Sequence, residues 1–105
     1  MVYVVVYITC PEIKEAERIS KILLDNRLAA CVNVIPNVTS FFWWAGKKQK
    51  SEELMLMVKT KKNLLRKIVK KVKEIHQYEN PEIIAIPIIG GSKEYTDWIE
   101  EETGN

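Results

Sequence analysis

The chain has 105 residues, of which 47% are hydrophobic and 29% are charged, and its formal net charge is +2. These values are typical of one globular domain over residues 1–105, and they exclude a second hydrophobic core and a disordered linker. The net charge is too small to indicate by itself that the protein binds a polyanion such as a nucleic acid. No apolar run reaches about 18 residues, and the first residues lack a signal-peptide pattern, so we expect a cytoplasmic protein without a membrane partner.

A strand and a helix are the first two predicted elements. Residues 2–8 are β-branched or aromatic without clean alternation, which is typical of a central strand covered on both faces. Thr9 and Glu12 have the spacing of a capping box, so we expect Thr9 to cap the helix that follows. The apolar residues of this helix recur at helical spacing, namely Ile13, Ala16, Ile19, Leu23 and Leu24.

A long hairpin comes next. Residues 29–44 predict the second strand, with a bulge or bend at Pro36 and Asn37 because proline lacks the backbone donor that a ladder needs. Residues 45–50 are predicted as the hairpin tip and residues 52–60 as the returning third strand. Both strands carry large apolar side chains on their two faces, which indicates burial on both sides.

The remaining elements complete a known order. The period becomes helical from Lys61, residues 82–89 predict a fourth strand interrupted by Pro87, and a short helix follows Ser92. The inner stripe of the second helix is predicted to comprise Leu64, Leu65, Ile68, Val69, Val72 and Ile75. This order indicates an α+β, ferredoxin-like βαββαβ sandwich with an extra C-terminal helix.

The apolar faces of the sheet predict self-association. In this fold the two main helices cover one sheet face, so the other face would expose large apolar side chains on a monomer. Adjacent residues of a strand point to opposite faces, which separates Trp43 from Phe42 and Trp44. We therefore expect a homo-oligomer with Phe42, Trp43 and Trp44 at the subunit interface.

The basic residues do not predict a nucleic-acid partner. Residues 59–73 contain eight Lys or Arg residues and no acid. RNA-recognition domains of similar fold carry stacking aromatic residues on the third strand, whereas residues 51–58 contain none. A solvated helix face accounts for the lysines.

Several segments resemble the CutA family, the divalent-cation tolerance proteins. Their combination in one order and spacing is specific, and it runs from the first strand to the last helix. The segments are 9–11 (TCP), 28–33 (LAACVN), 40–46 (SFFWWAG), 59–60 (KT), 76–82 (HQYENPE) and 95–98 (YTDW), together with Pro36.

The resemblance implies a homotrimeric cytoplasmic protein linked to tolerance of copper and other heavy metals, without catalytic turnover. We hypothesise that such a trimer holds cations weakly in a cleft between subunits near His76, Tyr78, Glu53 and Trp44, and we add Lys59 to the cleft residues. Copper or another divalent cation is the only cofactor expected.

Three residues are candidate metal ligands, namely His76, Cys10 and Cys31. Imidazole and thiolate are the side chains that transition metals prefer, although no local spacing typical of a metal site joins these residues. Relatives described as copper-binding resemble one another in a thiol late in the first strand and in two adjacent imidazoles. This chain has Ile8 in place of the thiol and Ile75 in place of the first imidazole, so only His76 remains. Each residue also has a structural alternative. Cys31 would be a small buried side chain in a strand, Cys10 would lie in a strand-to-helix turn, and His76 would cap the end of a basic helix.

No catalytic constellation is present in the sequence, because His76 is the only imidazole and no nucleophile motif accompanies it. An alternative function remains open. Trimeric PII-like signalling proteins share the fold and bind a small anionic ligand or nucleotide between subunits. Fold analogy alone supports that alternative.

Overall fold

The computed structural model describes residues 1–104, in which a four-stranded antiparallel sheet carries three helices. The strand order is β2-β3-β1-β4, which confirms the ferredoxin-like prediction. A 3-10 turn over Lys62–Leu64 leads into the second helix. The elements in chain order are β1 (Tyr3–Cys10), α1 (Ile13–Asp25), β2 (Cys31–Trp44), β3 (Lys47–Lys61), α2 (Leu65–Ile75), β4 (Ile83–Pro87) and α3 (Lys93–Glu102).

The hydrophobic core lies between α1, α2 and one face of the sheet, which we call the helix face. Alternate β1 residues Val4, Val6 and Ile8 point to this face and are at most 4% exposed. Ile19 of α1 and Ile68 of α2 are fully buried in the same cluster. None of the helices within residues 1–104 has the length and apolar character needed to cross a membrane.

The opposite side of the sheet, the open face, is only partly covered. The α3 helix lies over one end of it, where Tyr3 Oη and Lys61 Nζ both donate to the carboxylate of Glu100 at 3.3 and 3.1 Å. The rest of this face carries exposed apolar side chains, including Ile84 and Ile86, which are 53% and 46% exposed. Among residues 1–104, α3 covers one end of the open face and the segment around Tyr78 covers Glu53, while Ile84 and Ile86 stay exposed.

A bulge in β2 confirms the predicted irregularity. Ile35 lies opposite Met55, and the next paired residue, Val38, lies opposite Glu53. The β2 strand thus advances three residues while β3 advances two. Asn37 takes a φ of 63°, a conformation that asparagine tolerates better than most residues.

Beyond the bulge, β2 and β3 extend as a two-stranded arm. Ala45 and Gly46 form the two-residue turn, with φ values of 51° and 76° that match a type I′ hairpin. The arm contributes to a molecule that is 44 Å long and 25 Å wide. The tip is shorter than predicted, because β3 begins at Lys47 rather than at residue 52.

Three further sequence predictions were wrong in detail. Thr9 is part of β1, and α1 begins after Glu12 without a side-chain capping bond. The fourth strand spans only Ile83–Pro87, short of the predicted residues 82–89. Val69 is half-buried rather than central to the inner stripe, which is formed by Leu64, Ile68 and Val72.

Candidate functional site

A cleft of about 830 Å³ lies beside the arm on the open face, where the segment 76–82 passes the hairpin. Five aromatic residues line it, those at positions 41–44 and Tyr78, and of the four on β2 only Phe42 and Trp44 point to the open face. Three carboxylates also line it, those of Glu53, Glu79 and Glu82, and the lining contains no Lys, Arg or His. The cleft therefore combines negative charge with aromatic walls.

Glu53 and Tyr78 form a polar contact in the cleft. Glu53 faces the open side because it lies two and four residues from Met55 and Met57 along β3, and it is only 7% exposed. Tyr78 Oη donates to Glu53 Oε2 at 2.8 Å. Burial, and then the hydrogen bond and charge of Glu53, raise the pKa of Tyr78 to about 12.

A buried imidazole fixes the turn that carries Tyr78. The side chain of His76 has no exposed surface. Its Nε2 lies 2.7 Å from the Thr9 carbonyl and donates to it, since a carbonyl can only accept. Its Nδ1 accepts from the Tyr78 backbone N–H at 2.9 Å. Both ring nitrogens are therefore engaged by the backbone of the described fold.

Glu15 of α1 supports the same turn from the helix side. Its Oε1 accepts from the Gln77 backbone N–H at 2.9 Å and lies 3.5 Å from His76 Nδ1. Its Oε2 is buried without a hydrogen-bond partner among the described residues. The guanidinium of Arg18 donates to the Ile75 carbonyl at 2.5 Å, which ties α1 to the end of α2. Two α1 residues thus hold the segment that positions Tyr78.

Cys10 lies behind the cleft at the end of β1. It is fully buried as a free thiol, and its Sγ lies 3.9 Å from the Glu12 carbonyl. Burial, with the negative charges of Glu15 and Glu53, raises the pKa of Cys10 to about 11. The thiol is therefore neutral near pH 7, which disfavours metal binding because the ligand form is the thiolate.

Only three of the residues selected for the cleft between subunits line the same cleft. Trp44, Glu53 and Tyr78 line one cleft of the single chain. Lys59 lies six residues from Glu53 along β3, about 20 Å away for an extended strand. It pairs there with Cys31, whose thiol contacts Tyr95 of α3. Lys59 and Cys31 are therefore outside the cleft of the single chain.

No metal centre is preformed in the part of the chain that the structure describes. Within residues 1–104, no three His, Cys, Asp or Glu side chains converge closely enough to hold a metal ion. His76, Cys10 and Cys31 remain predicted ligands that the single chain does not bring together.

Sequence reasoning missed Glu15, Glu79 and Glu82. Glu15 was not selected because it lies on a helix rich in charged residues, and charged side chains on such a helix are ordinarily exposed. Glu79 and Glu82 flank Tyr78 and Pro81 within a segment already singled out, so their proximity in sequence to Tyr78 was an available signal.

The fold and the cleft together define a ferredoxin-like α+β protein with an acidic, aromatic cleft beside an unpartnered sheet face. The family described as CutA1 divalent ion tolerance protein matches residues 4–102. The chain therefore belongs to this family.

Relatives and solved structures agree with this assignment. The chain is 46% identical over 100 residues to the divalent-cation tolerance protein CutA of Thermus thermophilus, covering 95% of this chain and 97% of the relative. The structure of the Thermus thermophilus protein superposes with a TM-score of 0.94 at 45% identity, covering 97% of this chain and 99% of that one. CutA1 from Oryza sativa superposes with a TM-score of 0.95 at 38% identity, covering 99% and 95% of the two chains.

Proposed function

We propose that the chain works as a cytoplasmic homotrimer that contributes to tolerance of divalent cations, copper among them, by holding cations weakly without catalytic turnover. Membership of the divalent ion tolerance family supports the cation class. The observation that carries the proposal is the acidic cleft, with Glu53 at its floor and no basic side chain in its lining.

The open face supports the trimer. Ile35, Ile84 and Ile86 are 39%, 53% and 46% exposed on this face, and contiguous apolar surface on a soluble protein usually marks an interface. Phe42 and Trp44 extend the same apolar surface along the arm, and Trp43 is exposed on the other face of the arm. Packing against two further copies would place each cleft beside a neighbouring chain.

The free thiols support a reducing compartment. Cys10 and Cys31 are unpaired, as is usual for proteins of the cytoplasm. Names of relatives vary in this respect, since a rice relative is called chloroplastic and the structure from Archaeoglobus fulgidus is called periplasmic.

The anionic-ligand alternative has less support. A nucleotide would need basic groups around its phosphates, whereas the cleft lining carries only acidic charge. Three lysines of α2 line a smaller pocket of about 350 Å³, but α2 lies on the helix face, away from the subunit interface proposed here.

Titration calorimetry with Cu²⁺ and with Mn²⁺ tests the cation site. Carboxylate oxygens suit Mn²⁺, and both ions need negative ligands. We expect Glu53→Gln to weaken binding of either ion about tenfold, while Glu52→Gln, an exposed neighbour outside the lining, leaves it unchanged.

A His76→Ala variant decides between ligands. If Cu²⁺ binding is lost in His76→Ala and unchanged in Glu53→Gln, binding needs the imidazole or the turn that it positions and does not need the Glu53 carboxylate. Light scattering of each variant shows whether the assembly is preserved.

A further inference from the structure

The segment 76–82 depends on side chains for its shape, because it belongs to neither a helix nor a strand. Two consecutive backbone N–H groups of this segment donate to side chains, Gln77 to Glu15 Oε1 and Tyr78 to His76 Nδ1, each at 2.9 Å. Backbone donors that are shielded from water need such partners. The direction of the chain at Tyr78 is therefore set by these two acceptors.

Glu15 is a costly residue for this purpose. Its side chain is 1% exposed, and its Oε2 is buried without a hydrogen-bond partner among residues 1–104. A carboxylate that leaves water without full compensation lowers the stability of the fold. An apolar residue would avoid this cost at an inward position of α1, but it could not accept from the Gln77 N–H.

The same turn controls a contact inside the cleft. Tyr78 Oη donates to Glu53 Oε2 at 2.8 Å, whereas Glu15 itself is outside the lining of the cleft. This hydrogen bond restricts the rotamers of Glu53 before any ligand arrives. A side chain that is already ordered loses less conformational entropy when it binds a ligand.

We propose that Glu15 is a positioning residue for the cleft. It holds the Gln77 N–H, which places Tyr78 so that the tyrosine orients Glu53, and it thereby raises the affinity of the cleft for cations. The effect on affinity rests on the proposed function, whereas the placement of Tyr78 can be measured without any cation.

Two substitutions of Glu15 separate its hydrogen bond from its charge. Glu15→Gln keeps an acceptor at the same reach and removes the charge, whereas Glu15→Asp keeps the charge on a side chain that is one methylene shorter. We expect Glu15→Asp to raise the Kd for Mn²⁺ about fivefold and Glu15→Gln to stay within about twofold of the wild type. Glu17→Asp, an exposed neighbour on α1, is the matched control and keeps the wild-type Kd.

A Tyr78→Phe background tests the route. This variant lacks the hydroxyl that donates to Glu53, so Glu15→Asp should cause no further change in the Kd for Mn²⁺. Equal losses from Glu15→Asp in both backgrounds would overturn the route through the tyrosine. A Kd raised by Glu15→Gln but not by Glu15→Asp would show an effect of charge, and would also overturn it.

The ring signals of Tyr78 in an NMR spectrum report its placement directly. The ring lies 4.8 Å from the His76 ring, with the two planes tilted by 42°, so the signals depend on the geometry of the turn. Glu15→Asp should shift these signals and Glu15→Gln should retain them, and Tyr78→Phe identifies them among the four tyrosines. A lower melting temperature in Glu15→Asp, with the ring signals and the Kd unchanged, would show a purely structural role and overturn the proposal.

The two proposals fail separately. If the wild-type chain binds Mn²⁺ and Glu15→Asp binds it equally well, the proposed function stands and this inference is overturned. If the wild-type chain binds neither Mn²⁺ nor Cu²⁺, the proposed function and the effect on affinity are overturned. Shifted ring signals in Glu15→Asp would then still support the placement of Tyr78 by Glu15.

Discussion

Two weak acids, Tyr78 in the cleft and Cys10 behind it, are held in their neutral forms chiefly by burial. The pKa of Tyr78 rises from 10.0 to about 12 and that of Cys10 from 9.0 to about 11. Each group keeps its proton in the folded chain at pH values where the unfolded chain has lost it. Stability should therefore decrease as pH rises from about 9 to 12 and show no slope from these groups below pH 8.

Urea denaturation at successive pH values measures this slope. We expect Tyr78→Phe to flatten the curve between about pH 10 and 12, and Cys10→Ala to flatten it between about pH 9 and 11. A Tyr78→Phe variant with the full wild-type slope would contradict the assignment of the tyrosine.

The turn residue Ala45 offers a stabilising substitution. Its φ of 51° is unfavourable for a residue with a β-carbon, and Asn followed by Gly is the preferred pair for a type I′ turn. Ala45→Asn should raise the free energy of unfolding by about 0.5–1 kcal/mol. Gly46→Ala should lower it, because Gly46 has a φ of 76°. Equal thermal midpoints for the two variants would rule out this account of the turn.

Single residues show which parts of the site the sequence could predict. Tyr78 could be selected because the segment around it resembles a family motif, whereas Glu53 was selected only as part of the hypothesised cleft and lies outside the family segments. Glu15 could not, because its burial depends on α1 meeting the turn after α2, a contact between residues more than 60 positions apart. His76 was singled out correctly as special, but its hydrogen bonds to backbone groups depend on the same packing.

At the scale of elements, the helix register of α2 separates neighbouring apolar residues. Ile68 is fully buried and Val69 is half-buried, although the sequence assigns both to one stripe. An apolar stripe about 100° wide includes residues at its centre and at its margin. Periodicity alone therefore does not predict which of them is more deeply buried.

Alanine substitutions should rank these residues. Ile68→Ala should cost about 2–5 kcal/mol of stability, because it leaves a cavity in the core. Val69→Ala should cost less than about 1.5 kcal/mol. Chemical denaturation of the two variants measures the difference, and a larger loss for Val69→Ala would show that the register is wrong.

The strand boundaries were predicted less well than the strand order. Residues 47–50 are mostly lysine, so the sequence predicts a loop there. They nevertheless pair with residues 41–44, because the two-residue turn at Ala45 and Gly46 reverses the chain immediately. Hairpin geometry thus overrides the low strand propensity of lysine. The order β2-β3-β1-β4 follows from the fold class and needed no such detail.

The whole molecule presents more apolar surface than one chain can cover. Trp43 and Trp44 lie on opposite faces of the arm and are 70% and 45% exposed. If the open face and the arm pack against two copies, light scattering should give about three times the chain mass of 12.2 kDa. The oligomer itself stays a prediction, because its contacts lie between chains.

Replacing both indoles tests this interface. Trp43→Lys with Trp44→Lys should lower the mass in solution or cause precipitation, whereas Trp43→Phe with Trp44→Phe should keep the wild-type mass. A wild-type monomer at micromolar concentration, with its helical and strand signals intact, would refute the trimer.

The bulge at Pro36 and Asn37 changes the phase of the side-chain alternation in β2. Before the bulge, even-numbered residues such as Val34 face the helices. After the bulge, even-numbered residues such as Phe42 face the cleft instead. An ungapped alignment with a relative that lacks the extra residue would assign every later position to the wrong face. Any chimera that exchanges the arm must therefore join its two parents on the same side of this bulge.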